Sequence, residues 1–140
     1  MIVADTNLVA YLLISGEFTE AVEGVYAVDS EWIAPSSWRI EFLNVLTRYC
    51  RKKILTPVKA IEAYRRAETI ITPPPMEASA EDIINLSDSS GASGYDCNFV
   101  ILARMNRLPL VTFDKGILTR FPDIAVRPNQ LENWWKKRKE

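Results

Sequence analysis

Met1-Ile2-Val3-Ala4-Asp5-Thr6-Asn7 opens the chain, and its reading decides the fold. An apolar run containing the β-branched pair Ile2 and Val3 reads as a short buried strand over Met1 to Asp5. Asn7 then begins an amphipathic helix through Leu8, Tyr11 and Leu12. The same pattern returns at Leu110-Val111-Thr112-Phe113-Asp114, where a second apolar run ends on an acid. In an open α/β sheet, ligands bind outside the carboxyl ends of the strands. Asp5 and Asp114 therefore fall where sites are built. Glu41 and Asp96 lie inside otherwise apolar helical stretches. Carboxylates gathered in one pocket repel one another and raise each other's pKa. A divalent cation relieves that repulsion.

Working outward, strands alternate with helices along the whole length. A helix over about Phe18 to Val28 precedes the strand Trp32-Ile33-Ala34, which stops at Pro35. Ser36 or Ser37 caps the next helix, which runs to about Lys53 with Trp38, Phe42, Val45, Leu46 and Tyr49 on one stripe. Thr56-Pro57 opens another, with Thr as cap and Pro in the first turn. Ile70-Ile71 reads as a short strand stopped by three prolines. Ser79 begins a helix through Leu86, and Ser87 to Gly94 reads as a polar loop. Ser93 caps a helix from Tyr95 to Arg107, and Ser93 with Asp96 has capping-box spacing. Leu108 to Phe113 is a strand, Lys115 to Arg120 a short helical turn, and Ile124-Ala125-Val126 a last strand. A C-terminal helix holds Leu131, Trp134 and Trp135. This alternation predicts one domain over residues 1–140, a three-layer α/β/α sandwich with a central, mostly parallel sheet.

Composition removes many chemistries. The chain has 140 residues, 48% of them hydrophobic, which is enough for one core. Histidine is absent, so there is no Ser-His-Asp or Cys-His nucleophile, no imidazole base and no His-ligated zinc. Five glycines form neither a P-loop nor a dinucleotide fingerprint. The net charge of -1 argues against a globally basic nucleic-acid binder but leaves room for a local patch. Cys50 and Cys97 read as reduced core thiols of a cytoplasmic protein. No apolar run approaches the roughly 20 residues of a membrane span, and no signal peptide is evident.

Each acid also has a plain structural reading. Asp5 could be a helix N-cap, Asp96 a complement to a helix dipole, Asp114 the start of a turn, and Glu41 a solvated edge. Ser37, Glu41, Asn44 and Arg48 share one helical face, which would point Glu41 along the rim of a pocket. The joint placement at strand ends and helix starts carries the weight.

Asp5-Thr6-Asn7, then Glu41 within Trp38 to Leu46, then Tyr95-Asp96-Cys97-Asn98 through Arg104, then Thr112-Phe113-Asp114, resemble the PIN-domain family over nearly the whole chain. The length is similar to that of VapC-like toxin ribonucleases of toxin–antitoxin pairs. The resemblance implies that Asp5, Glu41, Asp96 and Asp114 hold Mg²⁺ or Mn²⁺. It implies that Asn7 and Thr112 steady them, and that the reaction is metal-dependent hydrolysis of RNA. It further implies a homodimer and a small antitoxin, with Leu12, Leu13, Phe18, Val22, Tyr26 and Ile61 as candidate docking surface or core. Many relatives carry a further acid shortly after the one matching Asp114; here Lys115-Gly116-Ile117 follow, which puts a second metal site in doubt. Arg48, Arg51, Lys52, Lys53 and Lys115, with Arg104 and Arg107, are candidates for RNA phosphates. The alternatives are a catalytically inactive RNA- or protein-binding module, a phosphoacceptor domain of receiver type, and a phosphatase on the same fold. The receiver reading lacks an acidic pair at Asp5.

Overall fold

The computed structural model describes residues 1–139. Strand β1 is Ile2–Ala4, and helices α1 (Thr6–Leu13) and α2 (Thr19–Val28) follow it. Next come β2 (Trp32–Ile33), α3 (Trp38–Arg51), α4 (Pro57–Ile70) and β3 (Ile71–Thr72). The second half holds α5 (Ala80–Ser90), α6 (Gly94–Asn106), β4 (Leu110–Val111), α7 (Lys115–Arg120), β5 (Ala125–Val126) and α8 (Leu131–Lys139).

The sheet has five strands in the order β3-β2-β1-β4-β5, and every pairing is parallel. The chain winds from β1 out to β3, then returns across the sheet to β4. Right-handed crossovers place helices of the two halves on opposite faces. The three-layer α/β/α sandwich is the architecture observed. The return makes the gap between the carboxyl ends of β1 and β4 the topological switch point, where open sheets bind ligands. Ala4 lies opposite Val111 in that register, so Asp5 and Thr112 emerge side by side.

The core sits where a doubly covered parallel sheet needs it. Ile2, Val3, Ala4, Leu110 and Val111 are fully buried. Helix α6 packs against β1 and β4 and is apolar nearly all round, burying Cys97, Phe99, Val100, Ile101, Leu102 and Ala103. Caps fix the helix starts as their sequences dictate. Thr56 accepts from the Lys59 amide, Ser79 from Asp82 and Ser93 from Asp96.

The loop expected over Ser87 to Gly94 is corrected. Ser87–Ser90 continue α5, and only the segment from Gly91 to Ser93 is a connection. Gly91 terminates the helix in a left-handed conformation at φ 75°, which glycine adopts without steric cost. Ser87 bonds the Ala92 carbonyl, closing the turn. The strands are shorter than their apolar runs; Leu108 and Phe113 lie outside β4. Cys97 is core, whereas Cys50 is only part-buried; both are free thiols. Val22 is fully buried and belongs to the core, not to a docking surface, while Phe18, Tyr26 and Ile61 are exposed and Leu12 and Leu13 part-buried. No described helix is long and apolar enough to cross a membrane.

The burial of α6 has a measurable consequence. Phe99→Ala is expected to cost about 3–5 kcal/mol through lost transfer energy and the cavity left behind. Urea denaturation of the two proteins checks this, and a loss under 1 kcal/mol, on the order of a surface change, would contradict the packing described.

Candidate active site

Asp5 is reached first, because β1 ends on it. Its backbone N–H donates to the Val111 carbonyl at 3.2 Å, continuing the sheet by one residue. Its side chain is the N-cap of α1, accepting from the Thr6 amide at 2.8 Å. The other carboxylate oxygen accepts from the Thr112 hydroxyl at 2.6 Å. The capping reading of Asp5 is thus met by one carboxylate oxygen, while the other meets the neighbouring strand end at Thr112.

Thr112 is completely buried, and its hydroxyl works twice. While donating to Asp5 it accepts the Asp114 backbone N–H at 3.0 Å. Asp114 then caps α7, accepting from the Ile117 amide at 2.9 Å. One threonine therefore ties the two strand-end acids together.

Glu41 and Asp96 arrive from helices on either side. Ser37 sits at the N-cap of α3 but makes no capping bond. Its hydroxyl lies 3.3 Å from Glu41 as donor, and it accepts from Asn98 of α6 at 3.4 Å. These bonds link α3 to α6 across the site. Asp96 is held in the first turn of α6, its amide bonded by Ser93.

All four acids line one open cleft of about 660 Å³. Asn7, Asn44, Thr47 and Arg48 line it too, with Ile40, Leu43 and Tyr95 at its walls. The acids sense each other. Burial holds the Asp5 carboxyl up at about 6 against the Thr112 and Thr6 bonds, with the charges of Asp96 and Asp114 adding to the rise. Burial also lifts Glu41, to about 7, with the Asp5 charge next in weight. Asp96 is raised by burial and then by Asp114. Among the described residues, no three Asp, Glu or Cys side chains already stand in the close grouping that would grip an ion.

Against known proteins, the PIN domain family profile matches residues 2–124. The chain belongs to the PIN domain family. PIN domains are generally nucleases. No curated protein sequence matches the chain. Among solved structures, PAE2754 from Pyrobaculum aerophilum is similar, with a TM-score of 0.76 at 15% identity over 93% of this chain and 90% of that one. A toxin–antitoxin complex from Klebsiella pneumoniae contains a chain with a TM-score of 0.62 at 17% identity, over 91% of this chain and 98% of that one. Both likenesses concern the fold.

The remaining candidates of this PIN domain divide. Arg48 lines the cleft. Arg51 and Lys53 line a separate depression at the far end of α3 with Ile54, Leu55 and Pro57, and Lys52 is exposed beside them. Lys115 is exposed on α7 and lines none of the described clefts. Arg104 is engaged by Asp123 through two bonds of 3.0 Å. Arg107 takes a left-handed backbone at the end of α6. Asn7 is exposed at the rim and, among the described residues, makes no hydrogen bond to the four acids. Three residues carry more of the site than the sequence suggests: Ser37, Asn98 and Thr6. Thr6 lines the cleft, and its buried hydroxyl has no partner. Asn98 stood in plain view two residues after Asp96, but only a long-range contact reveals its bond.

Raised carboxyl pKa values make a stability prediction. Between about pH 4 and 7 the folded protein keeps protons on Asp5 and Glu41 that the unfolded chain has released. Stability of the ion-free protein therefore falls as pH rises through that window. For buried Asp5 the shift from 3.8 to about 6 corresponds to about 3 kcal/mol. Asp5→Asn is expected to flatten the profile, and denaturation midpoints measured across the window check it. Equal slopes for the two proteins contradict the assignment. Thr112→Val removes both hydroxyl bonds without changing volume much and is expected to cost about 1–3 kcal/mol; equal denaturation midpoints for variant and parent would contradict it.

Proposed function

We propose that this chain is a metal-dependent endoribonuclease hydrolysing RNA phosphodiester bonds, and that it serves as the toxin of a toxin–antitoxin pair. The observation that carries this reading is the convergence of Asp5, Glu41, Asp96 and Asp114 on one cleft at the switch point of the sheet.

The residues suit a hard divalent cation. Four carboxylates without histidine form an all-oxygen donor set, which favours Mg²⁺ or Mn²⁺ over zinc. Burial first, and then the charges of neighbouring acids, raises the pKa values of Asp5, Glu41 and Asp96, and the partnerless Thr6 hydroxyl is a free site for a ligand-shell water. Asp5, Glu41, Asp96 and Asp114 are the proposed ligands, directly or through water. The ion, when bound, supplies Lewis-acid polarisation of water and phosphate.

The chain's own groups do the rest. Thr112 holds Asp5 and Asp114 at a fixed separation, and Ser37 with Asn98 steadies Glu41. Asn7 contributes at the rim. Arg48 receives a substrate phosphate inside the cleft, and Arg51, Lys52, Lys53 and Lys115 extend the positive path along α3 and α7. Tyr95, 63% exposed beside Asp96, offers a ring face to an unpaired base. A cytoplasmic homodimer with a small antitoxin completes the proposal. The Klebsiella pneumoniae likeness supports the antitoxin, and the exposed Phe18, Tyr26 and Ile61 give it an apolar surface.

The test is cleavage of single-stranded RNA by purified protein with Mn²⁺. Asp5→Asn and Asp96→Asn are expected to reduce cleavage to background while circular dichroism stays unchanged. Wild-type cleavage rates in either variant overturn the assignment. Parent protein that binds RNA but leaves it intact favours the inactive binding module.

A further inference from the structure

Gly116 and Arg120 form an arrangement the acids alone do not explain. A β-carbon placed on Gly116 would lie 3.1 Å from an Arg120 guanidinium nitrogen and 3.1 Å from a carboxylate oxygen of Asp114. The two charged groups are thus at most twice that distance apart, folded back over the bare glycine of α7. Two arginines of the chain are held in ion pairs elsewhere, Arg39 with Glu68 and Arg104 with Asp123. Arg120 has no such direct pair among the described residues; it is exposed on α7, near Asp114, which lines the acidic cleft.

A cluster of four carboxylates needs more positive charge than one divalent ion brings. We propose that Arg120, admitted by the side-chain gap at Gly116, is a built-in counter-cation on the Asp114–Asp96 side of the cleft and limits it to a single divalent ion. This rests on the metal reading above. The missing acid after Asp114 agrees with it, since Lys115, Gly116 and Ile117 supply no further ligand. A fixed guanidinium beside the acids repels an incoming cation, so it lowers affinity for the ion it leaves room for. It is a positioning group, set by charge, not a metal ligand.

Calorimetric titration of the ion-free protein with Mn²⁺ tests this without RNA. The parent is expected to take up one ion. Arg120→Gln is expected to bind Mn²⁺ about tenfold more tightly, or to admit a second ion, by loss of one positive charge at close range. Arg120→Lys is expected to stay near the parent. Arg120→Gln with both affinity and stoichiometry unchanged, or two ions in the parent, overturns the proposal. A parent that binds no Mn²⁺ overturns it together with the metal reading. A parent that binds one ion and gains affinity on Arg120→Gln, yet cuts no RNA, supports the counter-cation and refutes the nuclease.

Discussion

A single buried hydroxyl holds the site together. Thr112 gives its proton to Asp5 and takes the Asp114 amide, so the ends of the two central strands are joined by side chain as well as by sheet. The bridge ties the Asp5 carboxylate to the backbone of Asp114, and each carboxylate keeps a capping bond besides, Asp5 from the Thr6 amide and Asp114 from the Ile117 amide. Such doubly used, fully buried hydroxyls are costly to replace, because each partner is left unpaired when the oxygen is removed. The geometry of β1 and β4 makes the bridge possible. Parallel pairing of Ala4 with Val111 places Asp5 and Thr112 one step beyond, on adjacent strands.

The rest of the site is a set of responses to concentrated negative charge. The helix N-terminus behind Asp5 offers an amide, and Ser37 offers Glu41 a hydroxyl. Helix α6 packs against β1 and β4 through Cys97, Phe99, Val100, Ile101, Leu102 and Ala103, and carries Asp96 in its first turn. Burial first, and then neighbouring acids, pushes the pKa values of Asp5, Glu41 and Asp96 upward against these contacts. The fold therefore stores unfavourable electrostatics at one place and offsets it with the apolar packing of the sheet. Residual tension of this kind is usual at sites poised for a cation or substrate.

Much of this was legible in the chain. Strand and helix order followed from the switch between apolar runs and helical stripes, and Thr56, Ser79 and Ser93 announced their helices through local capping. Asp5 and Asp114 stood out because each ends an apolar run. Other features were hidden for physical reasons. The polar composition of Ser87 to Ser90 masked a helical end that Gly91 sets. Ser37 reads locally as a cap, yet its bonds run to Glu41 and to Asn98, 61 residues away. Arg104 looked free until the fold brought Asp123 to it. The closeness of Arg120 and Asp114 across the bare α-carbon of Gly116 is a contact that no periodicity signals. Strand lengths were overread because pairing, not hydropathy, decides where a strand ends.

The central claim is that acids far apart in the chain act as one cation-binding group at the rim of the sheet. Crystals soaked in Mn²⁺, with diffraction recorded at the manganese absorption edge, test it most directly. The account predicts an anomalous peak in the cleft, in contact with Asp5 and Asp96 directly or through water. Saturating Mn²⁺ with no peak there, or a peak only on a distant surface, contradicts it.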